Sequence, residues 1–299
     1  MHTHLAATRS LLFVPGDSER KLMKAESTKA TGLILDLEDS VSAGRLGAAR
    51  AMVREYLLHH TARANQQLWV RINPLSTSES VADLVAVVGG APDGVMLPKV
   101  DSVQDVVKLE HYLTVLEERE GIAPGKIRIL AVATETAQAM FNLDSYKNCS
   151  SRLAGLTWGA EDLATQLGAL SNRMETGEYE FTYQLARSLC LLGARAAGVL
   201  AIDTISTTLR DPQALLQEVR AARRAGFDGK LAIHPEQIDT INYGFAPEDS
   251  EIAHAQAVVR AFEDAEGGAG SVQLDGKMLD RPHLLQALRV LAIAGVEAG

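Results

Sequence analysis

The sequence predicts an α/β protein: a (β/α)8 TIM barrel carrying a C-terminal helix-hairpin-helix lid extension. Three observations predict it. Short β-rich runs recur at intervals of roughly 25 to 45 residues. A stretch with helical periodicity follows each run, the cadence of repeated βα units. No GxGxxG turn follows the first run, as a doubly wound nucleotide-binding sheet would want. The length of 299 residues suits a barrel of about 250 residues with an appendage.

In order, the runs are LLFV (11–14), GLILDL (32–37), LWVRI (68–72), GVMLP (94–98), IRILAVAT (127–134), LAGLTWG (153–159), GVLAIDTI (198–205) and LAIHP (231–235). Eight parallel strands close naturally into a barrel. Between them, ARAMVREYLLHH (49–60), DSVQDVVKLEHYLTVLEERE (101–120) and DPQALLQEVRAARRAG (211–226) are amphipathic and form the expected outer ring. Gly226 supplies a C-cap for the last of these. After the eighth run the character changes. EDSEIAHAQAVVRAFEDAE (248–266) reads as a helix, GGAG (267–270) as a break, and SVQLDGKML (271–279) as a hairpin whose Asp275-Gly276 suits a type I′ turn. A last helix follows Pro282. The expected organisation is therefore a barrel over 1–245 and a lid or subunit-contact segment over 246–299.

Composition narrows the function. Hydrophobic residues at 46% and charged residues at 22% allow a substantial interior. A net charge of -9 argues against a nucleic-acid surface, which needs clustered Lys and Arg. Two cysteines, Cys149 and Cys190, with no CxxC spacing, point to a reducing compartment. The apolar run before Pro15 is too short for a signal sequence or membrane span. A cytoplasmic protein with no membrane partner is expected.

Chemistry in a barrel gathers at the C-terminal strand ends. The second strand ends in Asp36, Glu38 and Asp39, the third in Arg71 and Asn73, and the fourth in Lys99. The fifth ends in Glu135, the sixth in Glu161 and Asp162, the seventh in Asp203 and the eighth in His234. Glu135 and Asp162 end adjacent strands, about 5 Å apart in the pairing direction, so they can share one cation. Two carboxylates without His or Cys select a hard ion such as Mg²⁺; the alternative is that both merely open the next helices. Arg71 either forks onto a substrate carboxylate or pairs with the Asp36-Glu38-Asp39 cluster. Lys99 invites a Schiff-base reading, although a lysine among acids keeps its proton. His234 is an acid-base group or a structural hydrogen-bonding residue.

Several stretches together resemble the citrate lyase beta-chain-like family of the HpcH/HpaI aldolase superfamily, which includes malyl-CoA and citramalyl-CoA lyases. They are RSLLFVPG, LILDLEDSV with a following AAR, VRIN, VMLPKV, ATET, GLTWGAEDL, AID, GFDGKLAIHP and GKMLDRP, in order over nearly the whole chain. The resemblance implies Mg²⁺, with Mn²⁺ as the alternative ion, on Glu135 and Asp162, and an acyl-CoA and a 2-oxo acid as small-molecule partners. It implies that Arg71 grips the keto-acid carboxylate. It also implies that Asp280 of MLDRP reaches a neighbouring subunit's site from a C-terminal lid and moves a proton, in a homotrimer or hexamer. Asp280, Arg71 and Glu38 are the catalytic candidates, Arg71, Asn73 and Glu135 the substrate-binding ones. The stretch GDSERKLMKA departs from the usual order, which leaves CoA contacts of Arg20 or Lys21 unassigned. An aldolase on free 2-oxo acids without CoA, and a beta-type subunit working only inside a complex, are the alternatives.

Overall fold

The structure is a computed structural model, and it describes residues 8–61, 63, 65–265 and 270–296. The first seven residues, part of the segment read for a leader, and the greater part of the GGAG break lie outside the described residues.

All eight strands expected form, and they close into one parallel barrel. They are β1 (Ser10–Pro15), β2 (Gly32–Asp36), β3 (Gln67–Arg71), β4 (Gly94–Leu97), β5 (Arg128–Val132), β6 (Leu153–Thr157), β7 (Leu200–Asp203) and β8 (Gly229–Ala232). Pairing of β1 with β8, Leu11 opposite Leu231, completes the circle. Every residue of β2, β4, β6 and β8 is buried. A parallel barrel covered by helices buries both strand faces, so its strands read as continuous apolar runs.

Around the barrel lie α1 (Glu19–Glu26), α2 (Leu46–His59), α3 (Glu79–Val87), α4 (Val103–Arg119), α5 (Ala160–Leu167), α6 (Phe181–Ala197), α7 (Pro212–Ala225) and α8 (Ile238–Phe245). Gly226 ends α7 at φ 111°, the left-handed cap expected of it. One expectation fails. No α-helix is described between β5 and β6; only a 3-10 turn, Ala139–Phe141, stands there. The segment is rich in turn formers, with Asn142 and Ser145 bonding locally and Asn148 at φ 58°, and such residues compete with a helix. Two helices, α5 and α6, follow β6 instead.

The chain divides into two compact units, one running from Thr8 to Asn242 and the other including Tyr243 onward. The second contains α9 (Asp249–Glu263), the antiparallel pair β9 (Ser271–Leu274) and β10 (Lys277–Asp280), and α10 (Arg281–Ala294). Asp275 and Gly276 take φ 50° and 77°, as the type I′ turn requires. This unit has its own small core of Ala255, Val258, Val259, Leu279, Ala287 and Leu291. No helix among the described residues is long and apolar enough to cross a membrane.

Candidate active site

Sheet register builds the first half of the site. Asp36, the last residue of β2, lies directly opposite Arg71, the last of β3. Arg71 Nε and NH2 donate to the two Asp36 oxygens at 2.6 and 2.7 Å, a bidentate pair. The third nitrogen, NH1, lies 2.8 Å from Glu38 Oε2 and 3.3 Å from Asp39 Oδ2. Asp36 also accepts from the N–H groups of Glu38 and Ser40, which curls the chain after the strand. Burial pushes Asp36 up, but these donors outweigh it and hold its carboxyl below the usual range. Arg71 thus has the acidic partners that the sequence offered as one of its two roles. Burial lifts Glu38 to about 7 despite Arg71 and Lys99, because its carboxyl gives up more hydration than those charges return.

Asn73, expected as a substrate-binding residue, has its side-chain amide donating to both Leu37 O and Asp83 Oδ2, each at 2.8 Å, so the amide hydrogens are spent on the protein. It braces the turn after β2 against α3. Asp83 on α3, which the sequence did not single out, anchors this brace and is itself held by Arg50 at 2.7 Å.

The second half rises from β5 and β6. Their pairing continues past the strands through Ala133 N–H to Thr157 O at 2.8 Å and Gly159 N–H to Thr134 Oγ1 at 3.2 Å. Glu135 therefore lies beside Gly159, where an added Cβ would come within 2.8 Å of Glu135 Cγ. Asp162 stands in the first turn of α5, where the helix dipole favours it. Burial first, and then the charge of Asp162, push Glu135 up to about 8. Its Oε2 accepts the main-chain N–H of Lys99 at 2.6 Å. Glu135, Asp162, Arg71, Asp36 and Asp39 all line one cavity of about 390 Å³.

Lys99 Nζ bonds Glu38 Oε1 and lies 3.3 Å from Asp162 Oδ1. Desolvation lowers its pKa, but these acids outweigh it and raise the ammonium above its ordinary value, the opposite of what a Schiff-base nucleophile needs. Glu161 lines the cavity beside Asp162. Asp203 ends β7 inside a charge network: Trp158 Nε1 donates to it at 2.7 Å, Arg187 Nε at 2.9 Å and Lys230 Nζ at 3.3 Å. It thereby fixes the Trp158 indole, a cavity wall. His234 Nδ1 accepts from Glu236 N–H at 3.3 Å and caps the turn Pro235–Gln237, the structural one of its two readings. Asp280, at the end of β10 in the second unit, is half-exposed and paired with His283 Nδ1 at 2.5 Å.

Sequence reading left one feature unassigned. A second cavity of about 450 Å³ carries Arg20, Lys21 and Lys24 from α1, and its wall includes Phe13, Pro15 and Ile233, which also line the first cavity. The signal was present in the periodicity of ERKLMKA, which sets Arg20 and Lys24 four residues apart on one helix face.

The acidic pair fits a hard divalent cation. Among the described residues the first cavity has no His or Cys in its lining, and burial and the charge of Asp162 act on Glu135 more strongly than the nearby Lys99 offsets. Among the described residues no three His, Cys, Asp or Glu side chains converge into a protein-only cage. A two-carboxylate site with remaining positions for water and substrate is the arrangement Mg²⁺ accepts.

Known proteins resemble this chain throughout. A family model described as HpcH/HpaI aldolase/citrate lyase matches residues 9–235. Citrate lyase subunit beta of Escherichia coli (strain K12) is 38% identical over 287 residues, covering 96% of this chain and 93% of that protein. A (3S)-malyl-CoA thioesterase of Cereibacter sphaeroides (strain ATCC 17029 / ATH 2.4.9) is 34% identical, over 96% of this chain and 94% of its own. Among solved structures, CitE of Mycobacterium tuberculosis in complex with magnesium, acetoacetate and coenzyme A aligns with a TM-score of 0.80 at 33% identity, covering 97% of this chain and 99% of that one.

Proposed function

This chain belongs to the HpcH/HpaI aldolase/citrate lyase family and is a carbon–carbon lyase, and from that premise we propose that it cleaves a hydroxy-dicarboxylyl-CoA reversibly, with Mg²⁺. The substrate is citramalyl-CoA, malyl-CoA or citryl-CoA, and the products are acetyl-CoA and a 2-oxo acid. One observation carries the reading. The acidic cavity with Glu135 and Asp162 shares its Phe13, Pro15 and Ile233 wall with the basic cavity of Arg20, Lys21 and Lys24. A ligand with a chelating hydroxy-acid head and a phosphate-bearing tail spans both.

Glu135 and Asp162 hold the cation, Mg²⁺ or Mn²⁺, which when bound supplies Lewis-acid polarisation of the hydroxy-acid oxygens. Arg71 orients the substrate carboxylate through NH1, which exchanges its contacts with Glu38 and Asp39 for the substrate while Asp36 holds the other two nitrogens and keeps the guanidinium from turning. Asp280, delivered by the second unit of a neighbouring copy in a trimer or hexamer, accepts the hydroxyl proton in the cleavage direction. The electron pair of the breaking carbon–carbon bond passes into the thioester, whose enolate carbon then takes a proton to give acetyl-CoA. Glu38, with its carboxyl at about 7, exchanges protons near neutrality and serves that step.

The test is an assay of the purified chain with malyl-CoA, citramalyl-CoA and citryl-CoA, scoring acetyl-CoA and 2-oxo acid together, with and without EDTA. Turnover of at least one thioester that stops with EDTA is expected. Unchanged turnover in EDTA, or release of free CoA without a 2-oxo acid, overturns the reading. A second reading is favoured by the 36–38% identity to citrate lyase beta subunits: a beta-type subunit acting on a citryl thioester carried by a partner. Inactivity on all free CoA esters together with activity on a carrier-bound citryl group would select it.

A further inference from the structure

The two acids of the cation site are tied to one residue, Lys99. It is not a glycine, yet its backbone takes φ 49°, in the left-handed region that side chains disfavour. In that conformation its main-chain N–H donates to Glu135 Oε2 at 2.6 Å. Its ammonium bonds Glu38 Oε1 and lies 3.3 Å from Asp162 Oδ1 and 3.7 Å from Asp39 Oδ1. One residue therefore touches both acids, through two chemically different groups.

Those groups act differently on a bound cation. A neutral N–H fixes the direction of the Glu135 carboxylate and adds no charge. An ammonium within ion-pair distance of Asp162 repels any second cation that this carboxylate holds, and the partial burial of Lys99 keeps water from screening it fully.

We propose that Lys99 is the positioning residue that sets the strength of the cation site, its ammonium beside Asp162 and Glu38 weakening the hold on a divalent ion. This rests on Glu135 and Asp162 being the cation ligands. The ammonium also offsets the mutual repulsion of Glu38, Asp39 and Asp162, so the acids stay gathered while the ion remains exchangeable.

The test is Mn²⁺ binding by the full-length protein at one fixed pH, followed by calorimetry and by the EPR signal of free Mn²⁺. Lys99→Met removes the ammonium but keeps the bulk. Lys99→Gly removes it while suiting the left-handed backbone and keeping the N–H, so it stays folded if the methionine variant does not. Both are expected to bind Mn²⁺ about tenfold or more tightly than wild type, and Lys99→Arg to return affinity toward the wild-type value. General damage to the site would loosen binding, not tighten it. Wild type that binds Mn²⁺ while both variants bind it no more tightly overturns this proposal alone. Wild type that takes up no Mn²⁺ overturns the cation-site reading, and this proposal falls with it.

Discussion

Two buried glutamates in the same barrel have opposite fates. Glu117, on α4, accepts from four donors: Arg152 NH1 and NH2 at 2.8 and 2.6 Å, and the N–H groups of Gly125 and Ile127, both at 2.8 Å. Burial pushes its carboxyl up, but Arg152 and these N–H groups outweigh it and hold it below its ordinary value. The cluster pins the residues leading into β5 and β6, at the end of a barrel devoted to stability. Glu135 leaves β5 at the other end, faces Asp162, and is pushed up to about 8. The difference teaches how neighbours decide an acid's state: Glu117 is surrounded by donors and keeps its charge, whereas Glu135 accepts the Lys99 N–H beside the like charge of Asp162 and holds its proton more tightly.

Neutralising each glutamate breaks this contrast in opposite directions. The largest effect is expected from Glu135→Gln, which keeps the shape and removes a ligand charge. Lyase turnover should fall by about a thousandfold or more, while the melting temperature of the metal-free protein does not drop; calorimetry beside the activity assay checks both. Glu117→Gln should do the reverse. It takes from Arg152 the nearer of its two acidic partners, leaving Glu110 at 3.9 Å, and costs roughly 3 kcal/mol in urea unfolding, while turnover per folded molecule stays near wild type.

A smaller effect sharpens the comparison through pH. Glu135 has a folded pKa raised from 4.5 to about 8, so the metal-free fold binds its proton more tightly than the unfolded chain does. Its contribution to stability is full below the unfolded value and is lost as pH rises through about 8. Glu117 behaves oppositely: its contribution is present above the unfolded value and lost as pH falls through its lowered one. Mn²⁺ affinity should accordingly rise by about tenfold per pH unit approaching 8 and then level off. Binding titrations from pH 6 to pH 9 check this, and an affinity flat across that range would show that Glu135 carries no such proton.

Much of this was legible in the chain itself. The runs LILDL and GVMLP announced strands buried on both faces, and DG at 275–276 announced its turn, because periodicity and turn chemistry are local properties. Glu135 and Asp162 were legible as a pair, since ending adjacent strands already brings two residues together. The role of Asn73 was not. Its amide is spent on Asp83, ten residues away on α3, and nothing in VRIN reveals which side a short polar group will face. The absent helix after ATET was hidden too, because TAQAMF could have been helical and lost to the turn formers beyond it.

Sequence alone determined the barrel, its eight strands and the acids at its mouth, since apolar periodicity selects strands and strand order selects neighbours. Only the tertiary structure decided which acids are satisfied and which are not. That depends on donors arriving from distant segments, Arg152 for Glu117 and Arg71 for Asp36, and on the water that burial removes. Charge balance in a folded interior is a property of three-dimensional neighbours, which no window of residues contains.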